Sequence, residues 1–225
     1  MRKGLIKATR PFERVVHWCL ALSCFLLCIT GMGTMYHSLN FIGAVIGGMA
    51  NLRMLHHYGG LFFGVSLVVA IGLFWKDAGR FSSKEDWPWI KEGGGFLWHV
   101  EDIPEVGKFN PGQKIFFLVV ALGGSAMLAS GLIMWFPLSF SKQLVRTMYV
   151  LHSLGFLTIF AFVFVHLYLV TIGAPGSSPA MFTGWVTRGW MKKQHPKWLK
   201  EMEKNGTLEV YGGNGGNSGN KTSSS

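Results

Sequence analysis

Two histidines fourteen residues apart, His152 and His166, lie in one apolar stretch, residues 148–172. In an α-helix this spacing separates the imidazoles by about 21 Å along the axis and returns them to within about 40° of the same face. One imidazole would then lie near each side of a hydrocarbon core about 30 Å thick. Because ionisable residues inside a membrane are costly and usually functional, the pair predicts two redox centres, one in each leaflet.

Four apolar runs are long enough to form the helices that would position these histidines. The 225-residue chain is 49% hydrophobic and 14% charged, with a mean hydropathy of +0.32. The runs cover about residues 15–35, 55–75, 115–136 and 148–172, each near the length of about twenty residues that a transmembrane helix needs. A fifth run, residues 41–50, is too short to span and is predicted to be interfacial or re-entrant. We therefore predict an all-α membrane protein, a four-helix transmembrane bundle.

Basic residues predict the orientation of the bundle. If the N-terminus is cytoplasmic, the cytoplasmic segments carry eighteen Lys and Arg residues and the outer connections carry three, Arg53, Lys142 and Arg146. Cytoplasmic loops are enriched in Lys and Arg, so both termini are predicted to lie inside. The net charge of +10 then reflects topology and contact with anionic lipid headgroups, and it does not indicate nucleic-acid binding.

These runs divide the chain into four parts. Residues 1–14 are predicted to form a cytoplasmic N-terminal segment, and residues 15–172 the four-span domain. Residues 173–211 are predicted to form a basic cytoplasmic C-terminal segment. The tail, residues 212–225, is rich in Gly, Asn and Ser and is expected to be disordered.

The topology pairs the membrane histidines by depth. His17 opens the first run near the inner surface, and His56 or His57 opens the second run near the outer surface. The fourth run passes inward, so His152 is outer and His166 is inner. We expect an inner pair, His17 with His166, and an outer pair, His56 or His57 with His152. Each pair suits bis-imidazole ligation of a b-type haem. Spacing leaves His56 and His57 open, since adjacent helical residues point about 100° apart.

Small residues near the outer pair predict room for a macrocycle. Gly59 and Gly60 follow His56 by three and four residues, and Gly155 follows His152 by three, so they share a helix face with the histidines. Glycines also allow membrane helices to pack closely, and a lone membrane histidine can simply bridge helices. Four histidines at matched depths favour haem ligation over this structural alternative.

The remaining titratable residues argue against other functions. All eleven acidic residues lie outside the four runs, so the intramembrane carboxylates typical of ion-coupled transporters are missing. Cys19, Cys24 and Cys28 share the first run, where we expect small buried hydrophobic residues and no disulfide framework. The other histidines are expected to be solvated or interfacial: His37, His99 and His195.

Six motifs carry a resemblance to a known family that runs over about residues 8–204. They are RVVHW (14–18), RMLH (53–56), VGKFNPGQK (106–114), LH (151–152), VHLY (165–168) and RGWMKKQHPKWLK (188–200). Together they resemble the cytochrome b (gamma) subunits of membrane-bound respiratory formate dehydrogenases. The resemblance implies two haem b groups in a multi-pass protein of the bacterial cytoplasmic (inner) membrane. It implies that the ligands are His17 and His166 for the inner haem, and His56, rather than His57, with His152 for the outer haem.

The resemblance also implies a menaquinone site beside the inner haem. Its residues are Asn110, Gly112 and Gln113, together with His166, and this chain has Pro111 where the family usually has a small non-proline residue. Asn and Gln amides can hydrogen-bond to a quinone, and a ligating histidine can offer its second N–H. The same Asn-Pro-Gly sequence also favours a simple turn before the third run.

The implied activity is that of a quinone-reducing electron-transfer subunit. Electrons would come from an extracytoplasmic iron–sulfur subunit, pass inward over about 20 Å, and reduce menaquinone with cytoplasmic protons. Formate itself would be oxidised in a catalytic partner subunit. One alternative is the dihaem cytochrome b subunit of a membrane-bound hydrogenase or related quinone-linked oxidoreductase. The other is a haem-free membrane anchor or transporter with structural histidines.

Overall fold

Four long apolar helices form the body of the protein. A computed structural model describes residues 4–96, 100 and 103–211. The long helices are α1 (Pro11–Met35), α3 (Met49–Ala78), α5 (Pro111–Trp135) and α6 (Lys142–Tyr168), and α6 continues into a π-helical turn, Leu169–Gly173. Each is long and apolar enough to cross a membrane. The predicted four-helix membrane bundle is therefore confirmed.

The remaining elements are short. They are β1 (Leu5–Lys7), α2 (Phe41–Val45), α4 (Ser83–Lys91), α7 (Pro179–Phe182), β2 (Trp185–Thr187), α8 (Arg188–Gln194) and α9 (Pro196–Lys204), with 3₁₀ turns at His37–Leu39, Gly93–Gly95 and Pro137–Ser139.

The long helices pack as two hairpins, α1 with α3 and α5 with α6, which meet where α3 packs against α5. At that meeting Gly64 lies under Leu128 and Gly124 lies under Leu67, and an added Cβ would come within 2.7 Å and 2.9 Å of these side chains. Glycine therefore lets the two hairpins approach closely. The contacts of α6 with α1 and α3 are sparse by comparison, so the described bundle is more open on that side.

Most of the helix surface is apolar and exposed. Leu22, Val68 and Leu122 expose between 65% and 68% of their surface, on three different helices. Apolar side chains on this scale are stable only against lipid or another apolar partner. The four helices thus present hydrocarbon-compatible faces around a narrow packed interior.

The short apolar run before the second long helix is divided by glycines. Gly47 and Gly48 adopt φ angles of 89° and 118°, which side chains other than glycine rarely tolerate. The chain therefore leaves α2, turns, and starts α3 at Met49, earlier than the predicted start near residue 55. As a result His56 lies two turns inside α3.

The first and last described segments pack together at one end of the bundle. Strand β1 pairs antiparallel with β2, with Ile6 opposite Val186. Both residues join a small core with Met191, Leu199 and Met202 from α8 and α9. The segment predicted as residues 173–211 is thus folded, and it lies at the same end as the start of α1.

The expectation that His195 is solvated or interfacial is wrong. Its side chain lies between Trp190 and Trp198, is 3% exposed, and has Nδ1 2.8 Å from the Gly107 carbonyl oxygen. Burial lowers the pKa of His195 below its ordinary value, and the hydrogen bond to Gly107 opposes this effect. His37 is exposed, as expected. His99 and the tail at 212–225 lie outside the described residues.

Candidate functional site

The two histidines predicted to lie on the outer side, the outer pair, face each other across the two hairpins. His56 on α3 and His152 on α6 have ring centroids 6.3 Å apart, with an interplanar angle of 66°. Because an imidazole nitrogen binds a transition-metal ion at about 2 Å, two imidazoles on opposite sides of one metal have centroids about 6 Å apart. The observed separation leaves room for one metal ion between the rings.

The two histidines predicted to lie on the inner side, the inner pair, repeat this arrangement at the other end of the bundle. His17 on α1 and His166 on α6 also have ring centroids 6.3 Å apart, with an interplanar angle of 48°. The Nδ1 atom of His17 is buried and has no hydrogen-bond partner among the described residues. His166 stacks on Phe116 of α5, with centroids 4.7 Å apart and planes 7° from parallel. The four histidines are thus brought together in the two pairs that their depths predicted.

His57 makes a different set of contacts from His56. Its ring stacks on Trp135 at the end of α5, with centroids 4.5 Å apart and planes 28° from parallel. The ring that lies opposite His152 is that of His56. The structure therefore favours His56 over His57 as the partner of His152.

A cavity of about 260 Å³ opens beside the outer pair. Of the glycines expected to line it, Gly60 does, and a Cβ there would meet no atom within 4 Å. Gly59 instead packs against Leu26, and Gly155 packs against Met127. They serve close helix packing, the alternative role of membrane glycines.

Two cysteines also line this cavity. Cys24 and Cys28 are half-buried, as is Cys19, and all three are free thiols. The expectation of buried packing residues was therefore too strong. Their side chains add apolar surface to the cavity wall and make no disulfide.

Each outer histidine contacts a hydroxyl group on the neighbouring helix. Thr30 Oγ1 on α1 lies 2.9 Å from His56 Nδ1, and Ser130 Oγ on α5 lies 2.9 Å from His152 Nδ1. Both hydroxyl-bearing residues are buried. Each hydroxyl therefore contacts its imidazole at Nδ1, on the other side of the ring from Nε2.

The loop predicted to bind a quinone forms the start of α5. The Asn110 side-chain oxygen accepts from the Gln113 backbone N–H at 2.8 Å, and the Gln113 side-chain oxygen accepts from the Asn110 N–H at 2.9 Å. This capping box, with Pro111 at the first helical position, is a strong helix-start signal. It uses the two amide oxygens, and the amide nitrogens make no hydrogen bond to described residues. Gly112 is close to Trp89, since an added Cβ would lie 3.2 Å from that indole ring.

Ion pairs hold this loop against the end of the bundle that carries the inner pair, which we call the inner end. Lys108 Nζ lies 3.2 Å from Glu13 and 3.1 Å from Asp77, and Lys114 Nζ lies 2.8 Å from Asp86. Glu13 lies one turn before His17 on α1, so Lys108 links the loop to the helix of an inner histidine. Of these groups, Asp77, Asp86, Lys108 and Lys114 line a polar cavity of about 290 Å³.

Comparison with known protein families shows the family to which the chain belongs. The chain matches the family model described as prokaryotic cytochrome b561 over residues 8–184, a range that includes all four paired histidines. The chain belongs to this family.

This cytochrome b561 family member is also similar to bacterial subunits over most of its length. The formate dehydrogenase cytochrome b556(fdo) subunit of Escherichia coli strain K12 is 29% identical over 206 residues, which are 90% of this chain and 95% of the relative. The nitrate-inducible formate dehydrogenase cytochrome b556(Fdn) subunit of the same strain is 29% identical over 212 residues, 90% of this chain and 94% of the relative. The formate dehydrogenase cytochrome b556 subunit of Haemophilus influenzae is 29% identical over 196 residues, 85% of this chain and 81% of the relative.

Membership of the cytochrome b561 family implies that the chain binds haem b. The residues present fit that group. Among the described residues, no group of three or more His, Cys, Asp or Glu side chains is placed to hold a metal ion, so the candidate ligands come in pairs. A haem iron needs just two axial ligands from the protein, because the porphyrin supplies the other four.

Sequence reasoning missed the hydroxyl contacts and the glycines beside them. Gly31 follows Thr30 and Gly131 follows Ser130, and an added Cβ would lie 3.2 Å from the His56 ring and 3.4 Å from the His152 ring. A hydroxyl residue followed by glycine therefore occurs on both α1 and α5. This repeated dipeptide is the signal that could have indicated them in this cytochrome b561 family member.

Proposed function

We propose that this cytochrome b561 family member is the dihaem cytochrome b subunit of a respiratory formate dehydrogenase. The observation that carries the proposal is the pair of histidine pairs, each with a 6.3 Å ring separation, at two depths of one bundle. The similarity to formate dehydrogenase cytochrome b556 subunits over most of the chain supports the identity of the complex.

His56 and His152 hold the outer haem b, and His17 and His166 hold the inner one. Bound haem b supplies a one-electron centre at each depth. The fourteen-residue spacing of His152 and His166 on one helix separates the two sites by about 21 Å along the helix. Because α6 carries one ligand of each pair, it sets the distance between the two centres.

Asn110, Gly112 and Gln113, with His166, bind menaquinone at the inner end. The capping box supports this role because it orients both side chains and leaves their NH₂ groups able to donate to a quinone carbonyl. Gly112 lies against Trp89, where an added Cβ would come within 3.2 Å of the indole ring, so the loop can pack closely at this point. Phe116, one turn further along α5, packs on His166 and keeps the loop beside the inner pair.

The direction of electron flow follows from the predicted orientation. An iron–sulfur subunit on the outer side delivers electrons from the catalytic formate dehydrogenase subunit to the outer pair. Each quinone reduced at the inner end takes two electrons and two protons, and the protons come from cytoplasmic water. Negative charge moves inward and protons are consumed inside, so the reaction is electrogenic.

Haem content tests the dihaem assignment. The purified full-length chain is expected to hold two haem b groups, measured as the pyridine haemochrome and by reduced-minus-oxidised spectra. His56→Ala should reduce the haem content to one per chain, because the outer pair loses a ligand. His57→Ala is the matched control and should keep both haems. Absence of a b-type α band, or loss of haem from His57→Ala alone, would contradict the assignment.

The identity of the partners needs a separate measurement. Affinity purification of the intact membrane complex, followed by mass spectrometry, should recover a formate dehydrogenase catalytic subunit and an iron–sulfur subunit. Recovery of a hydrogenase in their place would support the alternative quinone-linked complex and reject formate dehydrogenase as the partner.

A further inference from the structure

We propose that Thr30 and Ser130 are positioning residues for the outer haem: their hydroxyl groups fix the outer histidines in the tautomer that offers Nε2 to iron, and they lower the reduction potential of that haem. This inference rests on the proposed function, in which His56 and His152 are the axial ligands.

The hydrogen bonds of Thr30 determine which atom of His56 carries the proton. The Thr30 hydroxyl donates to the Leu26 carbonyl oxygen one turn earlier on α1, at 2.7 Å. A hydroxyl has a single proton, so Thr30 can only accept from His56 at the 2.9 Å contact. His56 is therefore protonated on Nδ1, and its Nε2 carries the free lone pair that a metal ligand requires.

The same argument applies to the second hairpin. Ser130 Oγ donates to the Met127 carbonyl oxygen at 3.1 Å and contacts His152 Nδ1 at 2.9 Å. Ser130 is 2% exposed, so the hydroxyl has little access to a competing partner. His152 is thus also protonated on Nδ1, with Nε2 free. Both outer imidazoles therefore have the same tautomer, one through a contact between α1 and α3 and the other through a contact between α5 and α6.

A glycine beside each hydroxyl makes room for the ring. Gly31 and Gly131 lie next to His56 Cε1 and His152 Cε1, at 3.2 Å and 3.4 Å from where a Cβ would stand. Alanine at position 31 would crowd the His56 ring, and alanine at position 131 would bring its Cβ into direct contact with the His152 ring. In each hydroxyl–glycine dipeptide, the hydroxyl contacts the imidazole and the glycine leaves space for it.

The inner pair has a different environment. His17 Nδ1 has no hydrogen-bond partner within the described part of the chain, and His166 is placed by stacking on Phe116. Among the described residues, the hydroxyl acceptors therefore serve the outer pair. The two ligand pairs therefore have the same ring separation but different hydrogen-bond partners.

This difference in hydrogen bonding changes the expected reduction potential of the outer haem. A hydrogen-bond acceptor on the Nδ1–H of a ligating histidine raises the basicity of the ligand. A more basic axial ligand stabilises ferric over ferrous haem, so the reduction potential of the outer haem falls. A lower potential outside and a higher one inside favours inward electron transfer.

Two substitutions that keep side-chain volume test the proposal in the full complex. Thr30→Val and Ser130→Ala remove the acceptors, and redox titration of the α band resolves the two haems. We expect the outer potential to rise by about 59 mV in the double variant, equivalent to about a tenfold change in the one-electron equilibrium, while the inner potential stays unchanged. The electron paramagnetic resonance signal of the outer ferric haem should shift as well, and that of the inner haem should stay unchanged.

Conservative variants separate hydroxyl chemistry from packing. Thr30→Ser and Ser130→Thr keep the hydroxyl and should restore the wild-type potential. Ser125→Ala is the matched control, because Ser125 donates to the Ala121 carbonyl on the same helix and contacts no histidine. If the double variant loses the outer haem, the proposal survives only if the conservative variants retain it.

Three results would overturn one conclusion or the other. Two unchanged potentials in a double variant that holds both haems would reject the role of the hydroxyls. Conservative variants that behave like Thr30→Val and Ser130→Ala would also reject it. A wild-type protein with the same haem content as His56→Ala would instead reject the outer haem site, and with it the proposed function.

Discussion

The outer and inner histidine pairs have the same ring separation, 6.3 Å, in contrasting surroundings. The outer pair lies beside an apolar cavity and is held by two buried hydroxyl groups. The inner pair lies near a loop stabilised by a capping box and by ion pairs. The ring separation therefore suits one haem in each pair. The surroundings fit the proposed functions, with transfer of electrons alone at the outer pair and of electrons and protons at the inner pair.

The comparison also shows how one helix can serve two sites. Both pairs take one member from α6, and the other member comes from α3 at one depth and from α1 at the other. Because α6 packs closely against α5 and only sparsely against α1 and α3, the rings of each pair meet across the more open side of the bundle. This is where a flat macrocycle can insert between helices.

The largest expected effect comes from removing the α6 ligand of each pair. His152→Ala should remove the outer haem and His166→Ala the inner haem, so each variant keeps one haem per chain and neither forms quinol at a measurable rate. Haem assay and redox titration should show that a different redox component is lost in each case. His37→Ala, at an exposed position, is the control. Loss of both haems from either single variant would mean that the two sites are not independent.

The fold and the histidine pairs could be predicted because both depend on one-dimensional patterns. Hydropathy reports which segments cross a membrane, and position within a segment reports depth. The choice between His56 and His57 needed the direction of the partner helix, which spacing cannot supply. The stacking of His57 on Trp135 is a tertiary contact between α3 and the far end of α5.

The contacts that the sequence did not predict are made by hydroxyl groups that also hydrogen-bond to their own helix. Thr30 and Ser130 donate to carbonyls within their own helices, as hydroxyl side chains in apolar helices commonly do. Their second contact, to a histidine, depends on helix packing. His195 was misassigned for a similar reason, because the chain around Gly107 that covers it is 88 residues away.

A smaller effect is expected from the buried ion pair at the inner end. The side chains of Asp86 and Lys114 are 5% and 14% exposed, and Asp86→Asn leaves the lysine charge without its partner. Breaking such a pair costs about 3–5 kcal/mol, so α4 should separate from the start of α5. We expect lower thermal stability and a changed inner haem spectrum, with the outer haem spectrum unchanged.

An exposed ion pair provides the control for this variant. Glu105 and Lys200 are more than half exposed, and Lys200→Gln should cost about 0–1 kcal/mol. An outer haem spectrum that changes as much as the inner one in Asp86→Asn would show that the two ends are not separable.

The loop before α5 offers a sharper test of the inner end, with an effect of about one order of magnitude. Asn110→Ser keeps a side-chain oxygen that can cap the helix but removes the NH₂ group proposed to donate to the quinone. Loss of that donor should slow quinol formation about tenfold, which corresponds to about 1.4 kcal/mol, with both haems retained. Asn110→Ala should add a loss of about 1 kcal/mol in stability from the missing cap. If Asn110→Ser forms quinol at the wild-type rate, the loop is a helix cap only.

The smallest effect is expected at His195, which packs the C-terminal segment against the inner end. Burial lowers the folded-state pKa of His195, so the unfolded segment binds a proton first as the pH falls. The contribution of neutral His195 to stability is therefore complete above the ordinary histidine pKa of about 6.5 and decreases as the pH falls below it. Limited proteolysis or hydrogen exchange in α8 and α9 should show faster opening at acidic pH in the wild type. His195→Gln keeps a donor for the Gly107 carbonyl and cannot titrate, so its opening rate should depend less on pH. An equal pH dependence in the two proteins would assign the effect to other groups at the inner end and leave His195 as a packing residue.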